Sequence, residues 1–148
     1  MPYTVWTFLQ QMESQLYVNG NIAFHHNAPH VAMAGPVPNH LNPEGTGNVI
    51  WEKSGWGQLV MHEYSSDFPH EQYTLGFTRA AGQFYINTLD NTEAHGPGGY
   101  SAEPDACFGR IIQGHDVVDR IHENQGGEWE EVKGGSVAIR SVHLIHND

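Results

Sequence analysis

Eleven histidines in 148 residues are the first chemistry-bearing feature of this chain. His25, His26 and His30 lie close in sequence, and His62 and His95 are candidates to approach them in a folded barrel. Imidazole is a good ligand for zinc or copper. The spacing does not favour such a site, because neighbouring residues on a strand point to opposite faces. No Cys-x-x-Cys or His-Glu-x-x-His pattern accompanies them. The reading is therefore no resident metal, with the histidines as surface groups. Asp90, Glu93, Glu103 and Asp105 share one polar loop and could offer oxygens to calcium. The Asp-x-Asp-x-Asp-Gly order of a calcium loop is absent, so a solvated loop is expected. The single cysteine, Cys107, sits in the apolar run Ala106-Cys107-Phe108 and reads as a buried, inert thiol. With one cysteine there is no internal disulfide, and the compartment stays open.

The elements that must position these groups are mostly short. Val5, Phe8, Leu9, Met12 and Leu16 recur at helical spacing and predict a helix over 2–16, with Pro2 at a favoured first position. Asn19-Gly20 signals a turn. Strands are expected at Ile22 to His26, Val31 to Ala34, Gln58 to Tyr64, Tyr73 to Thr78, Gln83 to Thr88, Ala106 to Ile112 and Val137 to Ile145. The last strand shifts its apolar phase between Ile139 and Val142, which suggests a bulge. Residues 35–48 and 90–105 read as polar loops, and Asp116 to His122 as a short helix. There is no internal repeat and no linker, so residues 1–148 are one domain. Many short strands with two helices point to a mainly β barrel or sandwich.

Composition narrows the function. Six Lys and Arg against seventeen Asp and Glu give a net charge of -11. Phosphate recognition needs clustered cations, so nucleic acid is an unsuitable partner, and so is an anionic membrane surface. No stretch approaches the ~20 apolar residues of a membrane span.

Five segments in register resemble the cyclophilin family of peptidyl-prolyl isomerases. Gly82-Gln83-Phe84-Tyr85-Ile86-Asn87 is similar to the family's GSQFFI strand. Cys107-Phe108-Gly109-Arg110-Ile111-Ile112-Gln113-Gly114 is similar to VFGRVVEG, and Asp116-Val117-Val118-Asp119-Arg120-Ile121 to the helix that follows it. Thr4-Val5-Trp6-Thr7-Phe8 resembles TVENF, and Tyr17-Val18-Asn19-Gly20 precedes Phe24-His25-His26 where the family has YDG followed by FHR. The resemblance implies a cyclophilin-like antiparallel β-barrel capped by two helices. It also implies that the first two strands of that barrel are lacking here, because the sequence starts at the first helix.

The chemistry of that family can be argued physically. Rotation about a peptide bond faces a barrier of ~18–20 kcal/mol set by resonance. Proline makes both isomers accessible. A catalyst must seat the ring in an apolar pocket and aim a donor at the nitrogen of the twisted amide, which favours the transition state over the ground state. The resemblance places His26 where the family has the Arg donor. A neutral imidazole donates one hydrogen bond and carries no fixed charge.

Around His26 the resemblance implies a degraded site. Gln83 matches a substrate-contacting Gln and Tyr85 a pocket Phe, with Phe24, Val31 and Phe77 as further substrate contacts. Against the family's FMxQGG, Val31 and Ala32 replace an aromatic and a Met, and Ala34 replaces the Gln. A pocket Trp and Leu have no match in Glu93 to Pro97, and a family His falls at Asp105. The expected function is a domain binding Xaa-Pro segments of proteins, with cofactor-free catalysis that is weak or lost. The alternative is a non-catalytic interaction or assembly subunit of a larger complex.

Overall fold

A computed structural model describes residues 1–19, 22–36, 53, 55, 63–78, 83–123, 130–131 and 137–145, with backbone alone for residues 26–27 and 130–131. The expected strand at Gln58 to Tyr64 and the loop after residue 36 fall largely or wholly outside these residues. In chain order the elements are α1 (Pro2–Glu13), α2 (Leu16–Asn19), β1 (Ile22–Ala28), β2 (Val31–Pro36), β3 (Thr74–Phe77), β4 (Phe84–Asn87), β5 (Ala106–Arg110), α3 (His115–Glu123), β6 (Glu130–Glu131) and β7 (Val137–Ala138).

The strands form one antiparallel sheet in the order β5-β3-β4-β2-β1-β6, with β7 also pairing β1. Among the described residues no ladder joins β5 to β6 or β7, so the closure of a barrel is not seen. The last strand expected over 137–145 pairs only at Ala23↔Ala138 and Phe24↔Val137. The Ile139 N–H continues this pairing by donating to the Ile22 carbonyl at 3.2 Å, and Ile139 and Val142 are half-buried against the core.

The core lies on one face of this sheet. Phe84 is its hub and meets Phe8, Tyr17 and Phe24 edge-to-face, with ring centroids 5.6, 5.4 and 6.0 Å away. Such pairs add about 0.5–1.5 kcal/mol each beyond their burial. Ala32, Ala34, Phe77, Ile86 and Ala106 complete the face, and Val118 joins them from α3. The small Ala32 and Ala34 leave room for the aromatics.

Helix α1 differs from its predicted apolar stripe. Its buried residues are Thr4, Thr7 and Gln11, whereas Leu9 is exposed. Gln11 Oε1 accepts the Tyr17 hydroxyl, which satisfies that buried amide oxygen. Phe8 and Met12 supply the apolar packing beside it. Met1 gives no side-chain cap. Glu63 replaces it from far along the chain, accepting the Thr4 N–H at 2.7 Å and the Thr4 hydroxyl at 2.9 Å. Ahead of the turn expected at Asn19-Gly20, residues Leu16–Asn19 form a single helical turn, α2, which buries Leu16 and Tyr17, and Gly20 lies outside the described residues.

Candidate functional site

The opposite face of the sheet carries a second, smaller apolar cluster of Ala28, Val31 and Tyr85, with Met33 packed against it. The register explains the division. Met33 stands across from Tyr85 in the β2–β4 ladder, and Ala32 and Ala34 stand across from Ile86 and Phe84. Directly paired residues share a face, and successive residues alternate. Val31, Met33 and Tyr85 therefore lie away from the core, while Ala32 and Ala34 lie within it. The position expected to have lost a Gln, Ala34, faces the core, and Met33 is the residue presented beside Tyr85.

Gln83 joins this group. Its backbone exchanges hydrogen bonds with Thr78, whose N–H donates to the Gln83 carbonyl at 2.8 Å. Its side-chain amide lies over Gly35, where an added Cβ would come within 2.6 Å of the amide carbon. On β1 the ladder shifts between Phe24 and His26, leaving His25 in the irregularity and His26 opposite Met33. The His26 side chain lies outside the described residues. Phe24 and Phe77 are placed in the main core, on the other face of the sheet from Tyr85. The structure thus brings together Gln83, Tyr85 and Val31 and sets Phe24 and Phe77 apart from them.

Tyr85 is 1% exposed, and its hydroxyl ends in a polar cluster. The hydroxyl donates to Asp105 Oδ2 at 2.9 Å. His95 Nδ1 lies 3.2 Å from the Tyr85 oxygen and 3.2 Å from the same Asp105 oxygen. With the tautomer assigned by these partners, Nδ1–H donates to both. Nε2 of His95 is then an acceptor, buried and without a hydrogen-bond partner among the described residues. His70 Nε2 donates to the Asp105 carbonyl at 3.1 Å, and its ring stacks on Tyr85 at 6.1 Å and 18°.

Three imidazoles converge here. The His95 ring centroid is 5.4 Å from that of His30 and 5.3 Å from that of His70. Tyr100 closes the outer side, 5.3 Å from His30. Beneath them Asn87 and Asn91 tie three segments. Asn91 Nδ2 donates to the side-chain Oδ1 of Asn87 at 2.7 Å and to the His30 backbone carbonyl at 2.9 Å. Burial holds the His30 and His70 pKa values below the ordinary imidazole range, and the neighbouring His95 acts the same way. Burial, followed by the Asp105 charge, pushes the Tyr85 phenol far above its usual range.

Sequence reasoning had grouped His25, His26 and His30, with His62 and His95 as approaching partners. Of these, the structure joins His30 to His95, and His62 lies outside the described residues. His70, Tyr100 and Met33 were missed. The only local signal for His70 is its place just ahead of an expected strand. Among the described residues, no group of three or more His, Cys, Asp or Glu is arranged to hold a metal ion. Asp105 is committed to Tyr85, and Asp90 accepts from the Thr92 N–H at 3.0 Å, an arrangement that closes its own turn. Cys107 is buried, donates to the Pro69 carbonyl at 3.3 Å, and has its thiol pKa raised by burial. No helix among the described residues is long and apolar enough to cross a membrane.

Comparison with known proteins adds two positive findings. A family model described as cyclophilin type peptidyl-prolyl cis-trans isomerase/CLD matches residues 1–144. A solved structure of a cyclophilin type peptidyl-prolyl cis-trans isomerase from Cryptosporidium parvum, in the presence of the dipeptide Ala-Pro, is similar in fold. It superposes with a TM-score of 0.65 at 15% identity, over 99% of this chain and 87% of that one. No curated protein matches significantly.

Proposed function

The chain belongs to the cyclophilin-type peptidyl-prolyl cis-trans isomerase family, and from that membership we propose that its sheet face outside the core binds Xaa-Pro segments of proteins and isomerises them slowly. The observation that carries this reading is the gathering of Gln83, Met33, Val31 and Tyr85 on that face, with Gln83 two residues ahead of Tyr85. In the proposed arrangement, Val31, Met33 and Tyr85 form the apolar floor for the proline ring. Gln83 holds the peptide backbone with its amide. The related structure solved in the presence of Ala-Pro supports a proline-containing ligand for this fold.

His26, opposite Met33, is the proposed donor to the twisted amide nitrogen. With no fixed charge, it stabilises that nitrogen less than a guanidinium does, and the lost stabilisation is worth ~10²–10³ in rate. Exchange spectroscopy on an Ala-Pro-Phe peptide tests this. The reading expects cis/trans exchange peaks that grow with protein concentration and shrink in His26→Ala. Unchanged exchange at every protein concentration would refute the catalytic part.

A second reading, a non-catalytic assembly subunit, is favoured by one specific observation. Tyr85 and Val31 are only 1% and 2% exposed, so the floor of the proposed pocket is covered in this structure. Peptide-induced shifts at Met33 and Gln83 would separate a covered but usable site from one that no longer takes peptide.

A further inference from the structure

The surface next to Tyr85 belongs to residues 88–105, whose His95 ring lies 5.0 Å from the Tyr85 ring. The loop is held in shape by its own backbone. The His95 N–H donates to the Asn91 carbonyl at 2.9 Å, the Gly99 N–H to the Gly96 carbonyl at 3.1 Å and the Tyr100 N–H to the Ala94 carbonyl at 2.7 Å. Gly99 passes so close to the Glu93 and Ala94 carbonyls that a Cβ there would collide with both. This fold-back brings Tyr100 next to the backbone of Glu93. Tyr100 is 74% exposed, yet its ring is fixed by His30 at 5.3 Å and meets His95 edge-on at 6.0 Å. Leu89 is exposed at the start of the loop. A large ring that is ordered and still open to solvent offers contact area at little entropic cost.

The charge beside that ring has one sign. Residues 80–109 contain Asp90, Glu93, Glu103 and Asp105 and neither Lys nor Arg. Asp90, Glu93 and Glu103 are exposed, and hydrogen bonds from the Thr92 N–H and hydroxyl hold the Asp90 carboxyl below its ordinary range. Strands β1 and β2 add no cation, because residues 1–52 contain none. On the far flank of the face, β6 pairs Glu130 with Asn27 and Glu131 with His26. Among the described cations, Arg110 is paired with Glu71 and Arg120 with Asp116. Arg140 follows β7, which pairs at the Ala23 end of β1, whereas the loop meets the Ala28 end through His30.

We infer that this surface selects its ligand by charge: the Xaa-Pro segment taken by the Gln83–Tyr85 face carries a Lys or Arg side chain near its proline, and that side chain lies on the open face of Tyr100 beside Glu93. The inference deepens the proposed function and rests on it. A cation over a tyrosine ring is attracted by the negative face of the ring. The carboxylates add an attraction that salt screens. The apolar stem of the side chain suits exposed Leu89. An acidic segment meets repulsion from the same groups, and that repulsion sharpens the choice. Each contribution is modest at an exposed surface, and together they favour Lys over Gln by about tenfold in affinity.

Shift titrations of the intact protein at low ionic strength test this. The probes are terminally blocked Ala-Pro-Phe peptides carrying Lys, Gln or Glu before the core, and a second set carrying them after it. In at least one set the Lys peptide is expected to bind about tenfold tighter than the Gln peptide, and the Glu peptide more weakly than either. Raising the salt to about 0.5 M shrinks that preference. The Lys peptide adds shifts at Glu93 and Tyr100. Tyr100→Ala, which leaves the net charge unchanged, and Glu93→Gln each lower the Lys-to-Gln ratio. Glu13→Gln on α1, on the core side of the sheet, removes the same charge as Glu93→Gln and leaves the ratio as it was. Equal affinities within both sets, or tighter binding of the Glu peptide, would overturn the inference. So would a ratio lowered as much by Glu13→Gln as by Glu93→Gln. The Gln peptides read the proline site by itself: if they bind and no preference appears, only the charge selection falls, and if no peptide binds, both readings fall.

Discussion

Tyr85 donates its hydroxyl proton to Asp105 across 2.9 Å, joining the middle of β4 to the residue that leads into β5. The bond turns an aromatic floor residue into a structural tie, because the same carboxylate oxygen also receives His95. Tyr85→Phe removes the donor and leaves a poorly solvated carboxylate with one partner fewer. The expected cost is about 1–3 kcal/mol. A urea titration checks it: the midpoint falls while the slope stays unchanged. Asp105→Asn, which retains an acceptor, is expected to cost less.

Acid weakens the fold through the same cluster. His30 and His70 have folded pKa values below their unfolded value of about 6.5. The unfolded chain therefore binds more protons in this range. Their contribution is fully present above about pH 6.5 and is lost as the pH falls toward the folded pKa values. Melting temperatures measured from pH 8 downward at constant ionic strength check the sign. His30→Gln is expected to reduce the slope below about pH 6.5.

Two glycines distinguish packing from binding. Gly76 stands across from Tyr85 in the β3–β4 ladder, and a Cβ there would fall within the Tyr85 ring. A rigid ring held by Asp105 cannot give way, so Gly76→Ala is expected to cost about 1–3 kcal/mol. At Gly35 the same methyl meets only the mobile end of Gln83. Gly35→Ala is expected to leave the denaturation midpoint nearly unchanged and to weaken peptide binding, which calorimetry would read.

The two faces of β2 show what was legible in the sequence and what was not. Val31, Ala32, Met33 and Ala34 are all apolar, so alternation does not say which pair is buried. The register with β4 decides it, placing Val31 and Met33 beside Tyr85. The strand cores at 74–77, 84–87 and 106–110 were readable because β-branched and aromatic residues stand between clear turn signals. Gln83, Tyr85 and Val31 are named as substrate contacts through the resemblance of their segments to the family's strands, and what the structure adds is their place on one face of the sheet. The cluster of His30, His70 and His95 was not readable, because it forms only when a turn, a pre-strand segment and a loop meet across the sheet. The α1 stripe failed for a different reason: Thr4 and Gln11 are buried through hydrogen bonds to Glu63 and Tyr17 that a hydrophobic pattern cannot register.

His26→Arg introduces a fixed charge at the position paired with Met33 in the β1–β2 ladder. Under the proposed mechanism the isomerisation rate rises by up to ~10²–10³, with peptide affinity changed far less. Exchange rates at saturating and sub-saturating peptide separate the two effects.

The central claim is that the face carrying Gln83, Met33 and Tyr85 takes a proline segment. The most direct test is amide shift mapping of the intact protein titrated with an Ala-Pro-Phe peptide. The account predicts saturable shifts centred on Met33, Gln83 and Tyr85. Saturable shifts centred elsewhere, or none, would contradict it.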